Sequence, residues 1–191
     1  MLNKLNELNS KEYEFNIFTM IDVLLILFVF GGLSGFIYEE IFYRIDLGYF
    51  VKRGTTFGPW IPIYGFGAMF IVLSTERIKK HPVLVFFIAA IVSGVLEFAT
   101  GYFLFNRYGV RLWDYNVEIW NWGNVGGYIC ARSVLFFGVS ALFLQYVVHP
   151  IVKYWAYRMK TQWLKAIAIV PSFLFLTDMS TNLLLALFKI H

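Results

Sequence analysis

Charge is scarce in this chain. Only 15% of its 191 residues are Asp, Glu, Lys or Arg, against 59% hydrophobic and 20% aromatic. A soluble domain of this size carries about a quarter charged residues. The net charge of +4 comes from short basic clusters between apolar runs. That pattern orients membrane spans and argues against a nucleic-acid partner. Cysteine is rarer still: Cys130 stands alone, which excludes an intramolecular disulfide. The three histidines, His81, His149 and His191, are scattered, and two of them directly precede proline. No metal-ligand spacing follows from them, so neither a metal nor another cofactor is expected. There is no GxxxxGK[ST] string, so the chain does not itself hydrolyse ATP. No Ser–His or Cys–His pair supplies an activated nucleophile, and no catalytic residue is assigned.

Long apolar runs are what the chain has instead. A span needs about 20 mainly apolar residues. Five segments are candidates: Ile17–Tyr38, Trp60–Ser74, Val83–Phe105, Tyr128–Val148 and Leu164–Phe188. The second is short and Gly-rich, and either crosses as a short span or re-enters. The runs are continuous rather than alternating, which excludes a β-barrel pattern. The expected fold is all-α: a polytopic transmembrane helical bundle of about five spans, forming one domain over residues 17–191. Residues 1–16 are polar and lack a signal-peptide pattern, so they read as an N-terminal tail. With five spans, nine basic residues fall on the tail side and six on the other, Arg132 lying within a span. This bias places the N-terminus in the cytoplasm and the 39–59 and 106–127 loops outside.

Ionisable groups inside such segments are costly and face a bundle interior. Glu39 and Glu40 end the first span, Glu97 lies within the third, Arg132 opens the fourth and Asp178 lies within the fifth. Following the chain through each span brings Glu39, Glu97 and Arg132 to one membrane face, with Asp178 in the same half. Small residues support convergence. Ala90, Gly94, Glu97 and Gly101 share one helix face, and Gly31 and Gly35 form a GxxxG step. Plainer readings exist for each. The Glu39–Glu40 pair could be solvated helix ends, and Glu97 with Arg132 a structural ion pair. Asp178 could bond only to Thr177 or Asn182. Trp113, Trp120 and Trp122 could form an interfacial belt, and Asp114 could be a turn residue.

One stretch has too much backbone punctuation for an ordinary span. "RGTTFGPWIPIYGFG", residues 53–67, carries four glycines and the prolines Pro59 and Pro62. Gly/Pro-interrupted segments at a span's mouth mark sites built from irregular backbone. Arg53 and Tyr64 would there meet and orient an anion, with Gly58 and Pro59 shaping the approach.

The strings "VKRGTTFGPWIPIYGFG", Glu97 with "FATGYF", "WDY" (Trp113, Asp114, Tyr115) and "GGYICARSVLFFG" occur in this order. The composite resembles a bacterial family of small multi-span proteins labelled ABC-transporter type IV, or CmpB-like permease. The resemblance runs from about Gly35 to Pro150. It implies that Glu39, Arg53, Gly54, Gly58, Pro59, Pro62, Tyr64, Gly65, Glu97, Trp113, Asp114 and Tyr115 are motif positions. Lys52, Asn116 and Tyr128 depart from the family's strings, and Phe105 stands where an acidic residue is usual. The resemblance implies transport.

The first functional reading is therefore a transporter or permease component. Its substrate site would use Glu39, Arg53, Gly58, Pro59, Tyr64, Glu97, Trp113, Asp114, Tyr115, Arg132 and Asp178. The alternatives are a membrane-embedded enzyme or binding protein for a lipid or lipid-linked anionic substrate, and a structural or regulatory membrane subunit. Expected partners are membrane lipids, a small anionic or lipid-linked ligand, and either a separate ATPase subunit or further copies of the chain.

Overall fold

The computed structural model describes residue 8 and residues 13–189, the side chains of 186–189 excepted. Most of the expected tail, residues 1–7 and 9–12, lies outside the described residues.

Helix α1, Ile17–Leu47, starts where the Asn16 side chain accepts the Thr19 N–H at 2.9 Å, an N-cap bond that satisfies an otherwise orphaned donor. Helix α2 is Pro62–Thr75, followed by a 3₁₀ turn at Glu76–Ile78. Helix α3, Pro82–Tyr108, has proline in its first turn, where no N–H is needed. Helix α4, Ala131–Phe143, is capped by reciprocal bonds between Cys130 and Ser133. It runs through a π turn, Leu144–Val148, into α5, His149–Arg158. The His149 N–H there reaches back five residues to the Leu144 carbonyl, next to Pro150, which has no N–H of its own. Helix α6 is Thr161–Lys189. Among the described residues there is no β-strand, only an isolated bridge between Val125 and Ile129.

Among the described residues, four helices are long and apolar enough to cross a membrane: α1, α3, the α4–α5 rod and α6. The fifth expected segment is different in kind. Helix α2 has 14 residues, about 21 Å at 1.5 Å per residue, against a hydrocarbon core of about 30 Å. It does not start at the level of the 109–130 loop. The Ile61 N–H donates to the Gly32 carbonyl at 3.0 Å, so α2 begins level with the middle of α1. Residues 49–61 are not helical and carry the chain down to that level. The stretch is thus bent, non-helical backbone followed by a short helix, with Gly54, Gly58 and Pro59 on the non-helical half and Pro62, Gly65 and Gly67 on α2.

The small residues mark the contacts. A Cβ on Gly31 would lie 2.6 Å from the Tyr64 carbonyl, and one on Gly35 would overlap the Tyr64 ring; α1 and α2 therefore touch backbone to backbone. Gly138 on α4 receives the Phe86 ring of α3, and Gly94 on α3 faces Val134 of α4. On α6, Phe175 fills the space over Gly32 and stacks on Phe28 and Trp60. The opposite side of α6, with Phe173, Leu174 and Val170, is exposed, as expected of a surface solvated by lipid.

The two ends of the bundle assort as the chain direction requires. At one end the Tyr13 ring lies 5.2 Å from Tyr157, and Glu76 meets His149 and Lys153. At the other end the 109–130 loop folds back over α1, where the Ile119 N–H donates to Asp46 at 3.1 Å.

Candidate functional site

A cavity of about 360 Å³ lies between α1, α2, α3 and α4, with the 109–130 loop across one end. Its walls are unlike at the two ends. Towards the loop they carry Glu39, Glu97, Glu118, Arg132, Tyr38, Tyr43 and Tyr115; deeper in the bundle they carry Phe30, Ile71, Phe137, Phe143 and Leu144. The volume falls within the range of small-molecule sites.

Two ion pairs bound the polar end. Arg53 Nε donates to Glu39 at 2.9 Å, and the Arg53 backbone N–H donates to Glu40 at 3.0 Å. The Arg53 guanidinium sits 3.6 Å from the Tyr43 ring centroid. Glu39 and Glu40 are thus tied to the extended segment rather than left as solvated helix ends. The second pair joins Arg132 Nη2 to Glu118 at 2.9 Å, with the Tyr43 hydroxyl also donating to Glu118. The Arg132 guanidinium lies 4.1 Å from the Phe42 centroid and 5.4 Å from that of Tyr115. Its Nε and Nη1 are buried and have no hydrogen-bond partner among the described residues.

Glu97 is held differently. It is buried and accepts hydrogen bonds from the Tyr115 hydroxyl and from Ser133 Oγ, the latter at 2.9 Å. The Glu97–Arg132 pair considered from sequence does not form. Arg132, at the first turn of α4, turns to the loop, where the Asp46–Ile119 bond holds the neighbouring Glu118 in place. Burial pushes the Tyr115 phenol far up, and the Glu97 charge beside it adds to this. Tyr115 therefore remains a donor at any working pH.

Of the residues expected at a substrate site, Glu39, Tyr64, Glu97, Trp113, Tyr115 and Arg132 line the cavity. Trp113 presents its ring there and donates Nε1–H to the Tyr128 carbonyl at 2.9 Å; it is not a surface belt residue, whereas Trp120 and Trp122 are more than half exposed. Arg53 stands behind Glu39. Asp114 builds a turn, accepting from the Asn116 N–H at 3.0 Å and the Asn116 side chain at 2.7 Å.

Asp178, Gly58 and Pro59 belong to a separate feature. The Asp178 carboxylate accepts from the Phe57 and Gly58 N–H groups at 2.9 and 2.7 Å, from Trp60 Nε1 at 2.8 Å and from Asn182 at 2.7 Å. It buckles the extended segment to α6, with exposed Pro59 at the bend. Of the two neighbours considered from sequence, Thr177 and Asn182, only Asn182 bonds to the carboxylate, and the three donors from residues 57–60 have no counterpart in the sequence reading.

Sequence reading missed Glu118, Tyr38, Tyr43 and Ser133. Glu118 had one available signal: Arg132 in a span needs an acid, and Glu118 is the acidic residue of the aromatic string that follows "WDY". Among the described residues, no group of three or more His, Cys, Asp or Glu side chains could hold a metal ion.

At the far end of the bundle a second cluster surrounds one carboxylate. Glu76 meets Lys79 at 2.9 Å, Lys153 at 3.0 Å and His149 Nδ1 at 3.3 Å, and accepts from Gln145 at 2.8 Å. Burial alone would raise its pKa, but His149, Lys79 and Lys153 together hold it well below the usual carboxylate range.

No curated protein and no solved structure matches the chain. A family model does, over residues 26–183, a stretch that contains every residue lining the cavity. This helical membrane protein belongs to the family described as "Putative ABC-transporter type IV".

Proposed function

We propose that the chain is the membrane-embedded component of a transporter, and that the cavity holds an amphipathic ligand with its head at the carboxylate–arginine end. The observation that carries this is the polarity of one continuous cavity: ion pairs and tyrosines at one end, phenylalanines at the other. The positive-charge bias of the sequence puts the polar end at the outer face. The extended segment 49–61 lies against the cavity's edge through the Arg53–Glu39 pair. Irregular backbone at membrane depth is tolerated where it borders such a cavity. With no ATP-binding string in the chain, an energising ATPase would be a separate subunit, docking where α2 and α5 end. An enzyme of lipid-linked substrates has less support, since no histidine lines the cavity to activate its serines, Ser34, Ser93 and Ser140.

Gly67 provides the test. It lines the cavity, and a Cβ there would meet nothing nearer than Leu96 at 3.9 Å. Gly67→Leu places a side chain at the cavity wall from an uncrowded Cβ position and removes a helix-weakening glycine worth about 1 kcal/mol. Native mass spectrometry of gently extracted wild type should show a co-purifying amphipathic molecule that Gly67→Leu loses, with no drop in melting temperature. That molecule should then cross proteoliposomes containing the wild type and its ATPase partner, and not those containing the variant. Equal retention by both proteins would rule the cavity out as the ligand site.

A further inference from the structure

The charges around the cavity do not balance, and the imbalance points to its occupant. Glu39 is matched by Arg53 and Glu118 by Arg132. Glu97 is matched by nothing: its two partners, Tyr115 and Ser133, are neutral donors. No lysine and no histidine lines the cavity. A buried carboxylate without a countercharge is unfavourable by several kcal/mol, and hydroxyl donors relieve only part of that. The unpartnered N–H groups of Arg132 do not make an anion site, because both atoms are closed off from the cavity surface beneath the Phe42 and Tyr115 rings. An anionic head would face Glu97 and Glu118 unless it first broke an existing pair.

The rings complete the picture. Tyr38, Tyr64 and Tyr115 line the cavity together with Glu97. Tyr38 stacks on Phe136 at 4.0 Å, and Tyr64 tilts against Phe137 at 5.5 Å. Aromatic faces beside a carboxylate attract an ammonium group by cation–π and charge-assisted contacts.

Resting on the cavity being a ligand site, we infer that the ligand's head is a cation: an alkylammonium group seated between Glu97 and the tyrosine rings, with its apolar chain along Phe137 and Phe143. The site with its occupant is then neutral, as a cavity in a bilayer requires.

Three probes of equal chain length test this with the purified full chain in a neutral maltoside detergent. Decylammonium, decanoate and decanol are titrated, and binding is read from heat and from the intrinsic tryptophan fluorescence, to which Trp113 on the cavity wall contributes. Decylammonium should bind at least about tenfold tighter than decanol, equivalent to about 1.4 kcal/mol, with decanoate the weakest. Glu97→Gln keeps an acceptor oxygen for the Tyr115 hydroxyl and offers its amide N–H to Ser133 Oγ, whose own hydrogen can turn to the Cys130 carbonyl at 2.9 Å, so it should stay folded, as its melting curve will check, and should bring the three affinities within about threefold. Tyr38→Leu should weaken decylammonium about fivefold, in the range of one cation–π contact, and leave decanol unchanged. Lysophosphatidylethanolamine separates the sources of the ammonium: if it displaces decylammonium, a lipid headgroup fits, and if it does not, a free amine does. Equal binding of decanol and decylammonium overturns the proposal, because Glu97 would then carry its own proton. Tightest binding by decanoate overturns it in favour of an anion. If no probe binds and Gly67→Leu changes nothing, the ligand cavity itself falls, not merely the charge of its occupant.

Discussion

The two charged clusters of this molecule solve opposite problems. At one end a single carboxylate, Glu76, is surrounded by two lysines, a histidine and an amide. At the other, three carboxylates share two arginines around open space, and one carboxylate has no cation at all. The Glu76 cluster is saturated and dense; only about 10 Å³ of free volume lies beside it. It ties the α2 end to α5 and leaves nothing for a ligand to complete. The other cluster is held apart by the walls of the cavity. Saturation is what a structural junction needs, and an unmet charge beside a void is what a binding site needs.

The strongest way to break the comparison is to remove a cation from the cavity cluster. Arg132→Met leaves Glu118 buried with only the Tyr43 hydroxyl. Stripping one partner from a buried pair costs about 3–5 kcal/mol. The melting temperature in detergent should fall accordingly, and Arg132→Met with Glu118→Gln should recover most of the loss, because the two effects are not additive. Simple addition of the two would mean that the pair is not a unit.

Next in size is the buckle at Asp178. Asp178→Ala removes the acceptor of two backbone N–H groups and the Trp60 indole. Hydrogen bonds to a charged group contribute about 1.5–3 kcal/mol each, less where water replaces them. The expected result is local: faster hydrogen exchange over residues 54–61 with little change in α3 and α4. Uniformly faster exchange would show that the extended segment is a global support instead.

These contrasts also show what could be read from sequence. The long helices were legible because mainly apolar runs of about 20 residues leave few alternatives in a bilayer. The oddness of residues 53–67 was legible too, since glycine and proline act on the chain locally. Partner choice was not. Arg132 could be seen to need an acid, but Glu97 and Glu118 are equally available in sequence, and a glutamate among loop tryptophans ordinarily reads as solvated. The bonds from Asp178 to Phe57 and Gly58 join residues about 120 apart, and no local pattern encodes such a pairing. That Glu39, Glu97 and Arg132 would share one face followed from chain direction alone, because an antiparallel bundle fixes which ends meet.

A smaller effect sharpens the helix contact that shapes the cavity wall. Gly35→Ala puts a methyl group into the Tyr64 ring, and overpacking of this kind costs about 1–3 kcal/mol. If Tyr64 turns away to make room, the cavity loses a tyrosine and decylammonium affinity should fall with stability. A stability loss with unchanged affinity would separate the α1–α2 contact from the site.

The smallest effect belongs to the saturated cluster and appears in pH. Glu76 has a folded-state pKa below its ordinary value of 4.5. The sign follows from linkage: the unfolded chain takes up the proton first, so the stabilisation is fully present above pH 4.5 and is lost as pH falls through the folded-state value. Glu76 is about one-third exposed, with a side-chain exposure of 34%, so screening reduces its contribution to about 1 kcal/mol. Glu76→Gln should therefore lower the melting temperature slightly at pH 7 and flatten its decline between pH 5 and pH 3. Ligand affinity measured at pH 7 should not change, because the cluster touches none of the cavity's charged residues. A Glu76→Gln protein that lost affinity would join the two clusters into one device, and the contrast between a junction and a site would have to be given up.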